Sequence, residues 1–122
     1  MRRSAFAGIA LALVGLLGAC GGDPHPDVTK VRDPADVAAG AVIWEANCAA
    51  CHGVSLEGGE TPDGSKAPGL VSSELGHPDS DFVEIATNGK GKMPGFGPIL
   101  TAEEIRQVVD HIRSVQAANL NS

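Results

Sequence analysis

Aromatic side chains are scarce in this chain, which has no Tyr, one Trp (Trp44) and three Phe (Phe6, Phe82, Phe96) in 122 residues. A domain of that length has a modest core and often needs a staple or a bound group to complete it. Cysteine is limited to Cys20, Cys48 and Cys51, an odd number that leaves at least one thiol outside any disulfide. Positive charge is also in short supply. Nine Lys+Arg face fifteen Asp+Glu, for a formal charge of −6. Arg2 and Arg3 fall in a segment that reads as removable, so the remaining balance is more acidic still. Nucleic acid is excluded as a partner, because phosphate binding needs a basic face. The one long apolar run, Ala5 to Leu17, is shorter than the roughly 20 residues of a membrane-spanning helix. Neither an internal repeat nor a strand-like alternation is present.

What is there begins with an export signal. Met1-Arg2-Arg3 precedes the apolar run, which closes on Leu17-Gly18-Ala19-Cys20. Basic residues, a short apolar stretch and small residues in that order read as a secretory signal. No Ala-x-Ala cleavage site follows. The closing tetrad instead resembles the lipobox of bacterial lipoproteins, in which the Cys carries lipid and becomes the first mature residue. Cys20 is therefore the expected lipidation site, anchoring the chain to a membrane outside the cytoplasm. Behind it, Gly21-Gly22-Asp23-Pro24-His25-Pro26-Asp27 and the polar residues after it read as a tether. The expected organisation is a signal peptide over 1–19, a lipid-anchored flexible tether over 20–33 and one domain over 34–118.

Asp33-Pro34-Ala35-Asp36 has the residues of a helix start: an N-cap Asp, Pro in the first turn and a second acid. Val37, Gly40, Ala41, Trp44 and Cys48 follow on one face. Thr101-Ala102-Glu103-Glu104 is a capping box, and Ile105, Val108, Val109, Ile112 and Val115 mark an apolar face through about residue 116. A shorter helix is predicted from about Ser80 to Asn88, stopped by Gly89. Gly/Pro-rich stretches, 53–70 and 89–98, fill the gaps, and loops that long in a small domain usually serve a function. The predicted class is all-α.

The chemistry concentrates in Cys48-Ala49-Ala50-Cys51-His52. Two thiols three positions apart can add to the two vinyl groups of one haem, and the next residue can place an imidazole under the iron. C-x-x-C-H is the attachment signature of c-type haem. A zinc site would want a second pair of ligands at similar spacing. A thioredoxin-like dithiol would want a βαβ context. Neither is found. For the opposite face of the iron, Met93 in Gly91-Lys92-Met93-Pro94-Gly95-Phe96 is the expected ligand, since Met/His pairs suit electron-transfer cytochromes. His77, between Gly76 and Pro78, reads as a surface-turn residue and is the rival. His111 reads as a packing or surface residue, and His25 as part of the tether.

In this order the motifs resemble those of a class I monohaem cytochrome c of the bacterial type, over about residues 34–117. The resemblance implies the cytochrome c fold: about three main helices and extended loops around one covalent haem c. It implies that Gly40 and Trp44 cross the last helix near Val108, His111 and Ile112, where relatives usually carry an aromatic at the position of His111. It also implies that the Pro68 carbonyl accepts a hydrogen bond from the His52 ring, which would fix the imidazole's orientation. With His52 and Met93 as metal ligands the iron is closed to substrate. The function expected is then that of an electron carrier rather than an enzyme. A redox protein donor and acceptor are its expected partners, it contacts the membrane surface through Cys20, and it is expected to be monomeric. Lys66, Lys90 and Lys92 are candidates for a basic rim that steers docking. Two alternatives remain: a cytochrome subunit of one membrane oxidoreductase complex, and a peroxidase or sensor with an open distal site.

Overall fold

The computed structural model describes residues 26–122. Its elements run α1 (Pro26–Thr29), α2 (Pro34–Asn47), α3 (Ala49–His52), β1 (Gly59–Glu60), β2 (Lys66–Ala67), α4 (Asp79–Asn88) and α5 (Ala102–Leu120). Helix α2 starts as its sequence dictates. Asp33 accepts from the Ala35 N–H at 2.8 Å, and Pro34 occupies the first turn. At the other end of the domain Thr101 accepts from the Glu104 N–H, while the Glu104 carboxylate takes the Thr101 N–H at 2.7 Å. This completes the capping box. Helix α5 runs to Leu120, past the apolar face that the sequence marks through about residue 116. Gln116-Ala117-Ala118 continues the helix with good helix formers, and no Gly or Pro interrupts it.

The main interface is the crossing of α2 and α5. Gly40 is buried there, and a Cβ on it would lie 1.8 Å from the Gln107 carbonyl oxygen. Only glycine lets the two backbones approach that closely. The Gln107 amide also reaches across to Asp36 at 3.0 Å. Beside this crossing Trp44, Leu56, Val108 and Ile112 form the core cluster.

Two expectations need correction. The loop 53–70 contains an antiparallel pair, β1 with β2, in the register Gly59↔Ala67 and Glu60↔Lys66. Two residues per strand are too few to show alternation in a sequence. The second concerns the tether. Residues 26–29 form a helical turn packed on α5, and Val28 is 1% exposed. Arg32 forms ion pairs with Asp79 (2.9 Å) and Asp110 (2.5 Å), and Asp27 accepts from the Asp79 N–H at 2.8 Å. The stretch from Pro26 to Arg32 is thus a strap of the folded body rather than a free tether. Cys20 and the signal segment lie outside the described residues.

Candidate haem-binding site

Helix α2 breaks at Cys48 (φ −116°, ψ −36°), and α3 carries the rest of the C-x-x-C-H motif as a single helical turn. Within that turn the N–H groups of Cys51 and His52 bond to the Cys48 carbonyl at 3.2 and 3.0 Å. Cys48 and Cys51 therefore sit three residues apart on one helical turn, neither in a disulfide and both half-buried. Burial, with the Cys51 thiol beside it, pushes Cys48 up to about 11. Among the described residues no group of three or more His, Cys, Asp or Glu could hold a metal ion in the manner of a zinc site.

His52 is 8% exposed, and its Nδ1 lies 2.9 Å from the Pro68 carbonyl oxygen. A carbonyl only accepts, so Nδ1 carries the donated proton, and in the neutral ring the lone pair is then on Nε2. A neutral imidazole with one nitrogen committed and the other basic is the form that binds a metal. The segment behind the motif is held just as firmly. Trp44 donates its ring N–H to the Gly53 carbonyl at 3.0 Å, and its ring centroid stands 5.8 Å from that of His52. The Gly58 N–H bonds to the His52 carbonyl at 2.7 Å. Trp44 thus serves the site as well as the core, a role its place on a helix face does not reveal. His111 lies 6.1 Å from Trp44, ring to ring, and burial holds it below the ordinary imidazole value against the opposing pull of Glu45. It packs on Trp44, one of the two roles that the sequence left open.

Met93 stands on a separate loop, half-buried, where it exchanges backbone hydrogen bonds with Lys90 (3.1 and 3.0 Å). The loop is drawn against the end of α4. Phe96 bonds to the Ala86 carbonyl (2.8 Å) and Gly97 to that of Thr87 (3.0 Å). Gly89, at φ 78°, leaves the helix in a left-handed conformation, and a Cβ there would lie 2.5 Å from the Met93 carbonyl oxygen. The glycines of this loop thus bring Met93 close to α4. His77, the rival ligand, is an exposed turn residue contacting Glu74 and Asp81. Lys92 pairs with Asp63 at 3.1 Å, so part of the expected basic rim is already neutralised. Lys66 and Lys90 are exposed.

The chemistry of these donors fits a covalently held haem: two free thiols on one helical winding, an imidazole with a free Nε2, and a half-buried thioether on a braced loop. Cys48, Ala49, Leu70, Val71 and Phe82 border the core cluster while remaining only partly covered, giving an apolar lining beside the thiols.

Comparison with known proteins agrees. A family model described as cytochrome C oxidase, cbb3-type, subunit III matches residues 35–112. Cytochrome c6 of Leptolyngbya boryana is 39% identical over 82 residues, covering 64% of this chain and 91% of that protein. The cytochrome bc1 complex cytochrome c subunit of Corynebacterium diphtheriae is 32% identical over 85 residues, 69% of this chain but only 29% of that subunit. Among solved structures, cytochrome c6 of the diatom Phaeodactylum tricornutum is similar at 31% identity and a TM-score of 0.51, over 69% of this chain and 98% of that one. With the fold, the donor set and these relatives in agreement, the chain belongs to the class I monohaem c-type cytochromes, electron-transfer proteins with one covalently bound haem c.

Proposed function

We propose that this chain is a one-electron carrier, held to a membrane outside the cytoplasm by lipid on Cys20. Cys48 and Cys51 would hold the haem covalently, and His52 and Met93 would be the side chains that ligate its iron. The observation that carries this reading is the bond between the His52 ring and the Pro68 carbonyl, which leaves the opposite ring nitrogen free as a ligand. Bound haem supplies an iron that alternates between Fe(III) and Fe(II). The chain's own residues do the rest. Pro68 orients the imidazole, Trp44 and Leu56 exclude water behind it, and the 89–98 loop presents Met93. With an imidazole and a thioether both committed to the iron, substrate would have no access to the metal, and the protein would act as a carrier rather than an enzyme. A redox donor and an acceptor are its partners. Lys66 and Lys90 contribute to their docking, the protein acts as a monomer, and nucleic acid plays no part.

A second reading is favoured by the cbb3-type oxidase subunit model and the bc1 subunit relative: a dedicated cytochrome subunit of one membrane complex. Co-purification of the native protein from solubilised membranes in a fixed ratio with an oxidoreductase would establish it.

A redox titration followed by optical spectra tests the carrier reading. The ferric holoprotein should show the weak red charge-transfer band of a thioether ligand, and Met93→Ala should abolish it. The midpoint potential of that variant should fall by more than about 60 mV, a tenfold change in a one-electron equilibrium. Rapid carbon monoxide binding to the native ferrous protein would instead mark an open site and an enzyme or sensor.

A further inference from the structure

Arg113 and Gln116 lie on the buried face of α5, both 0% exposed, between apolar neighbours. A buried guanidinium carries a heavy desolvation penalty unless its donors are satisfied, and here they are. Nε donates to Asp79 at 2.8 Å, Nη1 to the Gln116 Oε1 at 2.9 Å, and Nη2 to the His77 carbonyl. The guanidinium also lies over the Phe82 ring, 4.4 Å from its centroid. Arginine has donors only, so Gln116 must turn its carbonyl oxygen toward Arg113. Its NH2 is then committed to the other side, where it donates to the Leu70 carbonyl at 2.6 Å. The Leu70 N–H is held as well, by the Leu56 carbonyl at 2.7 Å. Leu56 is fully buried and, at φ 61°, is the one non-glycine residue in the left-handed region among the described residues. Both polar groups of Leu70 are thus fixed two residues from Pro68, whose carbonyl faces the His52 ring.

We infer that Gln116 and Arg113 are positioning residues for His52: they clamp the 68–70 segment so that the Pro68 carbonyl stays in line with the ring N–H. The inference rests on His52 being the proximal haem ligand. A hydrogen bond from the ring N–H makes the ligating nitrogen a stronger donor, and a stronger donor favours the ferric state. Loosening the clamp therefore raises the midpoint potential. The network continues beyond Arg113, since Asp79 also binds Arg32 of the N-terminal strap.

The test uses Gln116→Met, which keeps the side chain's length and removes both hydrogen bonds. Two signals are read on the holoprotein: exchange of the His52 ring N–H in the ferrous state by proton NMR, and the midpoint potential. Exchange should quicken about tenfold or more, as for a locally opened site, and the potential should move upward. Loss of thermal stability with both signals at their wild-type values would reduce the clamp to a structural role and overturn the inference. Should the variant not accumulate, Arg113→Lys keeps the charge, loosens Gln116 and is read in the same way. In the wild type, the Gln116 amide protons and the His52 ring N–H should exchange together. A ring proton that exchanges freely while the amide stays protected would overturn the inference equally. Failure of the underlying reading looks different: His52→Ala would leave the low-spin haem spectrum unchanged.

Discussion

At Gly40 one hydrogen atom decides whether two helices can meet. A Cβ there would fall 1.8 Å from the Gln107 carbonyl oxygen and 3.0 Å from the Val108 nitrogen. Both are backbone atoms that cannot rotate out of the way. Gly40→Ala should therefore destabilise the holoprotein by about 1–3 kcal/mol or more, the cost of forcing atoms into a packed interface. A lowered urea midpoint would report it, and an unchanged midpoint would mean the crossing yields at little cost. Four residues on, Trp44 shows the opposite economy, with one side chain filling the core and tying down the Gly53 carbonyl beside the haem motif. A single aromatic in that position serves both packing and the site, which helps a chain with so few of them.

Helix α4 depends on groups far away in sequence. Its N-cap is Pro78, which offers no side-chain acceptor, and the Asp79 N–H is taken by Asp27 of the strap instead. The Asp79 carboxyl lies between Arg32 and Arg113. Burial works against its charged form, but the hydrogen bonds from the two guanidinium groups prevail and hold it below the ordinary 3.8. A carboxyl depressed in the folded state stabilises fully above its unfolded value and loses that contribution as pH falls through the folded one. Acid unfolding followed by far-UV circular dichroism should thus draw on Asp79 below about pH 4. Asp79→Asn should cost about 3 kcal/mol at neutral pH, as expected when a buried guanidinium loses its anion. It should also flatten the stability curve in the acid range. A variant as acid-sensitive as the wild type would place the acid response on other carboxylates.

For the molecule as a whole, the strap changes how the haem domain would relate to a membrane. If Cys20 carries lipid, the chain from there to Pro26 can span at most about 20 Å fully extended. A tether reaching to residue 33 would be about twice as long. The head would then sit close to the bilayer, with its orientation constrained by where the strap leaves α5. Cys20→Ser should move the holoprotein from the membrane pellet to the soluble extract while leaving its spectrum unchanged. Continued sedimentation with membranes would reassign the anchor, to a partner complex or to an uncleaved signal.

The haem motif, the two capping signals, the α4 stop at Gly89 and the three principal helices were legible in the linear chain. Each depends on residues within a few positions of one another, and short-range spacing is what a sequence records directly. Gly40 and Trp44 were legible too, through their place in a known pattern. The strap, the hairpin and the buried Arg113–Gln116 pair were not. Pro26 to Arg32 looks like a polar linker until Asp79 and Asp110 come within reach, and two-residue strands leave no periodic trace. Arginine and glutamine on a helix read as solvent-facing until a carboxylate 34 residues away in sequence and a carbonyl 46 away supply partners. Which carbonyl faces His52, and what holds it there, is a matter of long-range contacts, and only the folded chain brings those groups together.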